Sequence, residues 1–201
     1  MLKIGLTGSI AVGKSYVCRV LSDLGCSVLD ADLTARDVVK MGTKGLQLIT
    51  DEFGVDVLQA NGELDRARLG AIVFADEARR QLLNSIVHPL VIEAQNEWLA
   101  EKEAENPRGI AVIDAALMIE SGGADRFEKL IVVWCEAETQ IERLMRRNDL
   151  NRDEAILRIE AQMPQEEKKR RADFLIETTN GFEAARQQTI KVFERLKLLV
   201  K

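Results

Sequence analysis

One short stretch near the start of the chain combines residue types that handle phosphate groups. Residues 8–15 read GSIAVGKS, a glycine followed by four residues and then by Gly-Lys-Ser. Gly8 and Gly13 allow a tight turn whose backbone N–H groups can approach phosphate oxygens, where a side chain would obstruct them. Lys14 can reach the outer phosphates of a nucleotide, and the Ser15 hydroxyl can ligate magnesium. The pattern predicts a P-loop that binds ATP together with Mg²⁺.

The segments on either side of this loop have the strand and helix patterns that a P-loop requires. Residues 2–6 form a short apolar run suited to a buried parallel strand, and apolar residues at 17, 20, 21 and 24 share one helical face. A helix that follows such a loop directs the positive end of its dipole at the bound anion. We therefore predict nucleotide contacts at Gly8, Ala11, Val12, Gly13, Lys14, Ser15 and Tyr16.

Acidic residues follow the second and third predicted strands. Ligands of open α/β sheets bind beyond the carboxyl ends of the strands, so Asp32 and Asp114 are placed for chemistry. Asp114 closes an apolar strand and is expected to approach the metal ion through water. Asp32 has a structural alternative, the capping of the helix that follows it. Arg36, four residues further on, can form an ion pair with Asp32 or belong to the site.

Five strand-like runs separated by helical patterns predict the architecture. The runs are residues 2–6, 26–29, 109–113, 130–134 and 174–177. Such an alternation favours a three-layer α/β/α fold around a five-stranded parallel sheet. Residues 36–107 show helical periodicity without strand signals and are predicted to form a helical lobe for the second substrate. Residues 137–171 are predicted to form a helical lid, which leaves 1–35, 108–136 and 172–201 as the core.

Two further sets of residues admit both a functional and a structural interpretation. Gln140, Arg143 and Arg147 share a helical face, and arginines on a lid can stabilise charge on a transferring phosphoryl group. The same face can equally be a solvated one, paired with nearby glutamates. The run of basic residues at 168–171 is interpreted as a solvated helix face. His88 is the only histidine, and on spacing alone a packing role is more common than a site.

Composition limits the classes of partner. The 201-residue chain carries 28 Lys and Arg against 33 Asp and Glu, a net charge of −5. Because no basic excess is available to neutralise a phosphate backbone, we expect no nucleic-acid partner. No apolar run approaches the ~20 residues that span a bilayer, and the first strand begins too early to leave room for a secretory signal. We predict a cytoplasmic protein with reduced cysteines, a monomer or weak homo-oligomer, that does not bind membranes.

Several segments together resemble one known family. Residues 4–15 read IGLTGSIAVGKS, residues 29–36 read LDADLTAR, and His88 precedes Pro89. Further on, QIERLMRR, RIEAQMP and EEKKRRADFLIETTN follow in order. This combination resembles the dephospho-coenzyme A kinase family over nearly the whole chain. The chain departs from the family pattern at Ala116, where a proline usually leads the segment, and at Asn180, which is shifted along the loop after the last strand.

The resemblance implies ATP-dependent phosphorylation of the ribose 3′-hydroxyl of dephospho-coenzyme A, giving coenzyme A and ADP. It implies that Asp32 orients or deprotonates the hydroxyl while Lys14 and Mg²⁺ offset charge on the phosphates. Arg143 and Arg147 would serve as lid residues in the same role. The implied acceptor contacts are Asp32, Arg36, His88 and Glu120, with Asn180 near the adenine.

Other functions remain open at this stage. A nucleoside or nucleoside-monophosphate kinase shares the P-loop and the inserted lobe, and the lobe contains arginines that could hold an acceptor phosphate: Arg66, Arg68, Arg79 and Arg80. A guanine-specific switch protein would show an Asn-Lys-x-Asp segment, which the sequence lacks. A non-catalytic ATP-binding module would leave Asp32 and Asp114 without a purpose.

Overall fold

A five-stranded parallel sheet forms the centre of the larger part of the molecule. The computed structural model describes residues 1–200. The strands are Leu2–Thr7 (β1), Ser27–Asp30 (β2), Ile110–Asp114 (β3), Lys129–Trp134 (β4) and Phe174–Glu177 (β5). Their spatial order is β2-β3-β1-β4-β5. The register pairs Leu2 with Ile110 and Ile4 with Lys129. All five predicted strands and the predicted fold class are therefore confirmed.

Helices join the strands, and side-chain caps mark the N-termini of several of them. The helices are Lys14–Asp23 (α1), Ala31–Asp37 (α2), Lys44–Phe53 (α3), Arg66–Ala75 (α4), Glu77–Glu105 (α5), Ala137–Asn148 (α6), Arg152–Glu160 (α7), Gln165–Arg170 (α8) and Gly181–Lys197 (α9), with short 3₁₀ turns at Val55–Val57 and Gly123–Arg126. Among the described helices, none is both long and apolar enough to cross a membrane.

Strands β1, β3 and β4 are apolar because the sheet is covered on both faces where they lie. Every residue of β3 is buried, and β1 is buried except at Lys3. Branched residues of β1, β3 and β4 pack with Val17 and Leu21 of α1 and with Leu196 of α9. Two-sided burial explains why these strands read as continuous apolar runs rather than as alternating ones.

The chain divides into two compact units. One contains Met1–Leu29 and the chain from Glu101 onward, and the other is Asp30–Ala100. The second unit has its own apolar cluster, which includes Val39, Ile49 and Val57. Thr43, Asp65 and Asp76 cap its helices α3, α4 and α5 through side-chain oxygens that accept backbone N–H groups. The functional division into core, acceptor lobe and lid stays a prediction.

Helix α5 continues through Pro89, from Glu77 to Glu105. Proline removes one intrahelical hydrogen bond and crowds the preceding turn, which costs about 3 kcal/mol in a helix interior. Packing offsets this cost, because Leu83, Ile86 and Val87 lie against the apolar cluster of the second unit.

A lysine in the predicted solvated run lies in the interior, so that interpretation is wrong at Lys168. Its side chain is fully buried, and its ammonium group forms an ion pair with Glu120 at 2.7 Å. The same group donates a hydrogen bond to the Ala116 carbonyl at 2.9 Å. The sequence pattern did not identify Lys168 as buried, because its neighbours in α8 are charged. Burial of one member of such a run depends on how the helix packs against the rest of the protein.

We expect the three cysteines to differ in reactivity. All are free thiols, Cys26 and Cys135 are buried, and Cys18 is half-buried. Burial raises the pKa of the Cys26 thiol to about 12, and burial also raises the pKa of Cys135 against the opposing charge of Arg143. Because the thiolate is the reactive form, a disulfide reagent at pH 8 should label about one thiol quickly in the native protein. Denaturant should expose all three, and rapid native labelling of Cys26 would contradict the expectation.

Candidate active site

The predicted P-loop connects the central strand β1 to helix α1. Gly13 has a φ of 90° and precedes Lys14, the first residue of α1. Ala11 also adopts a left-handed backbone, with a φ of 62°. A Cβ atom on Gly8 would lie 2.4 Å from the Val133 carbonyl oxygen of β4. The glycines are therefore required by a close backbone approach at one end of the loop and by backbone conformation at the other.

Lys14 and Asp114 meet at the carboxyl edge of the sheet. Their side chains form an ion pair, and both are largely buried, with 14% and 8% of the side-chain surface exposed. Asp114 is the last residue of β3, next to β1 in the sheet. Ser15 lies in the first turn of α1 and is exposed. This edge therefore presents a cation, a carboxylate and a hydroxyl beside a helix N-terminus, a combination suited to bound phosphate and a hydrated metal ion.

A cavity of about 510 Å³ lies beside the P-loop on the β5 side. Its lining residues are Gly13, Tyr16, Arg143, Arg146, Arg147, Thr178, Gly181, Phe182 and Ala185. The rings of Tyr16 and Phe182 pack with centroids 4.7 Å apart, and Phe182 is 72% exposed. Aromatic faces, apolar walls and three arginines suit a planar base attached to an anionic chain.

Thr178 is a site residue that the sequence analysis missed. Its hydroxyl donates a hydrogen bond to the carbonyl of Val12 in the P-loop at 2.6 Å. Arg143 donates to the same hydroxyl at 2.8 Å and to the Thr178 carbonyl at 2.6 Å. Thr178 follows β5 directly, so the rule that sites gather at the carboxyl ends of strands could have identified it. It joins the P-loop to an arginine of the cavity.

Replacing Thr178 with valine should raise the KM for ATP roughly tenfold, because the isosteric side chain cannot bond Val12 or Arg143. The measurement is steady-state turnover at varied ATP concentration. Thr50→Val is the matched control, since the Thr50 hydroxyl donates a hydrogen bond to the Leu46 carbonyl of its own helix. An unchanged KM for ATP in Thr178→Val would exclude this role.

The other predicted residues of this unit differ in their surroundings. Arg147 lines the cavity and donates a hydrogen bond to Asn148. Glu120 pairs with Lys168 through Oε1, which also accepts the Met163 N–H. Asn180 is exposed at the start of α9, while the adjacent Gly181 and Phe182 line the cavity. The roles of Arg147, Glu120 and Asn180 stay predictions.

Asp32 and Arg36 lie on helix α2 of the second unit, and both are exposed. The N-cap of this helix is Asp30, whose side chain accepts the N–H groups of Asp32 and Leu33. The capping alternative considered for Asp32 is therefore wrong, because the helix begins earlier than expected, at Ala31. His88 is exposed within α5. The proposed contacts of these three residues with a substrate stay predictions.

The fold and the phosphate site define a P-loop kinase. The family model described as dephospho-CoA kinase matches residues 2–184. A dephospho-CoA kinase from Geobacillus kaustophilus is 44% identical and covers 100% of this chain and 99% of its own length. The solved dephospho-CoA kinase from Campylobacter jejuni aligns with a TM-score of 0.66 at 28% identity, over 96% of both chains. The crystal structure of TT1252 from Thermus thermophilus aligns with a TM-score of 0.80 at 30% identity, over 97% of both chains. The chain belongs to the dephospho-CoA kinase family.

Proposed function

We propose that this protein transfers the γ-phosphoryl group of ATP to the ribose 3′-hydroxyl of dephospho-coenzyme A, forming coenzyme A and ADP in the last step of coenzyme A biosynthesis. The observation that carries the proposal is the family match across residues 2–184, which includes the P-loop with its Lys14–Asp114 pair. The relatives named dephospho-CoA kinase match over nearly their full length, which supports the transfer of the whole activity rather than of one part of it.

In this proposal the phosphate chain of ATP lies across the N-terminus of α1. Lys14 interacts with the outer phosphates, and Arg143 and Arg147 approach them from the cavity. Positive groups fixed in advance stabilise the charge that develops on the transferring phosphoryl group without reorganisation during the reaction. The anchoring of Arg143 by Thr178 supports this role, because two hydrogen bonds restrict the guanidinium to one orientation.

Magnesium belongs to the proposal and fits the donor set. No group of three or more His, Cys, Asp or Glu side chains within residues 1–200 could hold a metal ion alone. A P-loop magnesium needs no such group, because most of its ligands are phosphate oxygens and water. Ser15 would ligate it directly and Asp114 through water. When bound, the ion neutralises phosphate charge, so chelation should abolish turnover.

The acceptor hydroxyl is assigned to Asp32, with Arg36, His88 and Glu120 as further contacts of dephospho-coenzyme A. Asp32 accepts a hydrogen bond from the 3′-hydroxyl and directs its oxygen at the γ-phosphorus. The position of Asp32 after β2, at the carboxyl end of a parallel strand, supports the assignment.

The arginines of the helical unit weigh against a monophosphate kinase. Arg66, Arg68 and Arg79 each donate a hydrogen bond to a backbone carbonyl of the same unit. Arg80 forms an ion pair with Glu77. Guanidinium groups already engaged in this way support a structural role rather than the capture of an acceptor phosphate.

A panel of acceptors tests the proposal. ADP release from Mg-ATP would be followed with dephospho-coenzyme A, AMP, CMP, UMP, dTMP and adenosine, each in a separate reaction. We expect turnover with dephospho-coenzyme A, and mass spectrometry with phosphate mapping should find the new group at the 3′ position. Turnover with a monophosphate and none with dephospho-coenzyme A would overturn the assignment.

The proposal includes a cytoplasmic location and a monomeric or weakly associating state. Three free cysteines, two of them buried, fit a reducing compartment.

A further inference from the structure

Both backbone polar groups of Ile10 in the P-loop are bonded to glutamine side chains from the segment 137–171. The Ile10 N–H donates to Oε1 of Gln162 at 2.7 Å. The Ile10 carbonyl accepts from Nε2 of Gln140 at 2.7 Å. Gln140 is 1% exposed, so its bond is protected from competing water. Two side chains thus fix this residue of the loop on both sides.

A third glutamine determines how Gln140 is oriented. Nε2 of Gln165 donates to Oε1 of Gln140 at 2.8 Å and to the Cys135 carbonyl at 3.1 Å. Oε1 of Gln165 accepts the Cys135 N–H at 3.2 Å. Cys135 follows β4 directly, so the network is anchored to the sheet. Because the Gln140 oxygen is engaged by Gln165, its nitrogen is the atom that faces Ile10.

The residue after Ile10 is the one with the unfavourable backbone. Ala11 has a φ of 62°, a left-handed conformation in which a Cβ atom crowds the following carbonyl oxygen. Nothing in an isolated loop would keep an alanine there. Fixing the preceding residue by two hydrogen bonds restricts the rotation that would relieve the crowding. The Ile10 N–H, held by Gln162, is also withdrawn from the set of amides that can face phosphate.

We infer that Gln140 and Gln162 are positioning residues that hold the P-loop in its phosphate-binding conformation by fixing Ile10 and so keeping Ala11 left-handed. The inference rests on the proposed ATP site and deepens it. Both glutamines belong to the segment that also supplies Arg143 and Arg147. The docking of that segment and the shape of the phosphate site are therefore coupled at Ile10.

The inference makes the effect of Gln162 depend on residue 11. Gln162 is half-buried, so Gln162→Met should fold and lose only the acceptor for the Ile10 N–H. We expect it to weaken ATP binding roughly tenfold. Glycine adopts the left-handed conformation without a Cβ penalty. In an Ala11→Gly background, the same substitution should weaken binding about threefold or less.

The experiment is a double-mutant cycle on Mg-ATP affinity, measured by calorimetry without acceptor on the full chain. Gln187→Met is the matched control, because Gln187 is exposed on α9 and bonds Glu183. Gln165→Met is a second test, because Gln165 acts through Gln140. Its loss of Mg-ATP affinity should likewise be smaller with glycine than with alanine at position 11. The melting temperature of each variant separates positioning from general destabilisation.

The inference would be overturned if Gln162→Met did not lower the affinity for Mg-ATP. It would also be overturned if Gln162→Met lowered that affinity equally with alanine and with glycine at position 11. A protein that binds Mg-ATP but does not phosphorylate dephospho-coenzyme A contradicts the proposed function and leaves this cycle interpretable. The two failures are therefore distinguishable.

Discussion

Replacing Asp32 with asparagine is expected to lower the turnover of dephospho-coenzyme A roughly 100-fold or more while leaving ATP affinity unchanged. Asparagine keeps the size of the side chain but removes the charge that orients the acceptor hydroxyl or takes its proton. ATP affinity should be retained because the phosphate site is formed by the other unit, at Lys14 and Asp114. The measurements are single-turnover kinetics with saturating acceptor and separate ATP titration.

The matched control is Asp37→Asn on the same helix. Asp37 is exposed and pairs with Lys40, three residues further on, and exposed pairs of this kind contribute little to stability. Near-normal turnover in Asp32→Asn would remove Asp32 from the reaction. Equal losses in both variants would instead point to an effect on helix α2 as a whole.

Replacing Lys168 with alanine is expected to lower the free energy of unfolding by about 3 kcal/mol. The substitution leaves Glu120 without its buried partner and removes a donor from the Ala116 carbonyl. The value lies at the lower end for a broken buried pair because 22% of the Glu120 side chain is exposed, so that water can solvate its carboxylate. Denaturant unfolding followed by far-ultraviolet circular dichroism gives the measurement.

Two further variants help to interpret the change in unfolding free energy of Lys168→Ala. Arg170→Ala removes an exposed cation from the same helix, 4.0 Å from Glu167, and should change the unfolding free energy by less than about 0.5 kcal/mol. Lys168→Met fills most of the vacated volume and separates the lost charge from the cavity. If Lys168→Ala were as stable as Arg170→Ala, the ion pair would have no structural importance.

The sequence was most informative where one local pattern determines the structure. Strands β1 and β3 were predictable because burial on both faces requires continuous apolar runs. The P-loop was predictable because the spacing of its glycines, lysine and serine is typical of phosphate binding. The strand order was not predictable, since it depends on which distant segments pair. Lys168 was misinterpreted for a related reason. The sequence of a charged run does not indicate which of its side chains is buried.

Errors of one or two residues had larger consequences at the site. Asp32 was considered as the cap, but the helix starts at Ala31 and Asp30 is its N-cap. Thr178 was missed because a threonine after a strand has no distinctive spacing, and its importance comes from Val12 and Arg143, which are remote in sequence. Its position directly after β5 was the one local signal available, and the contacts that give it a role arise from the fold.

The central position of β1 has a consequence for how the protein emerges from the ribosome. The first strand to be synthesised is flanked in the sheet by β3 and β4, so its first pairing partner, at Ile110, appears about a hundred residues later. Strand β2 also neighbours β3 rather than β1. No pair of sheet strands can therefore form until β3 has left the exit tunnel. In the meantime the unit Asp30–Ala100, rich in local helical contacts, can form structure first. The nascent chain would thus carry two unpaired strands, β1 and β2, beside an already helical segment, and unpaired strand edges favour aggregation.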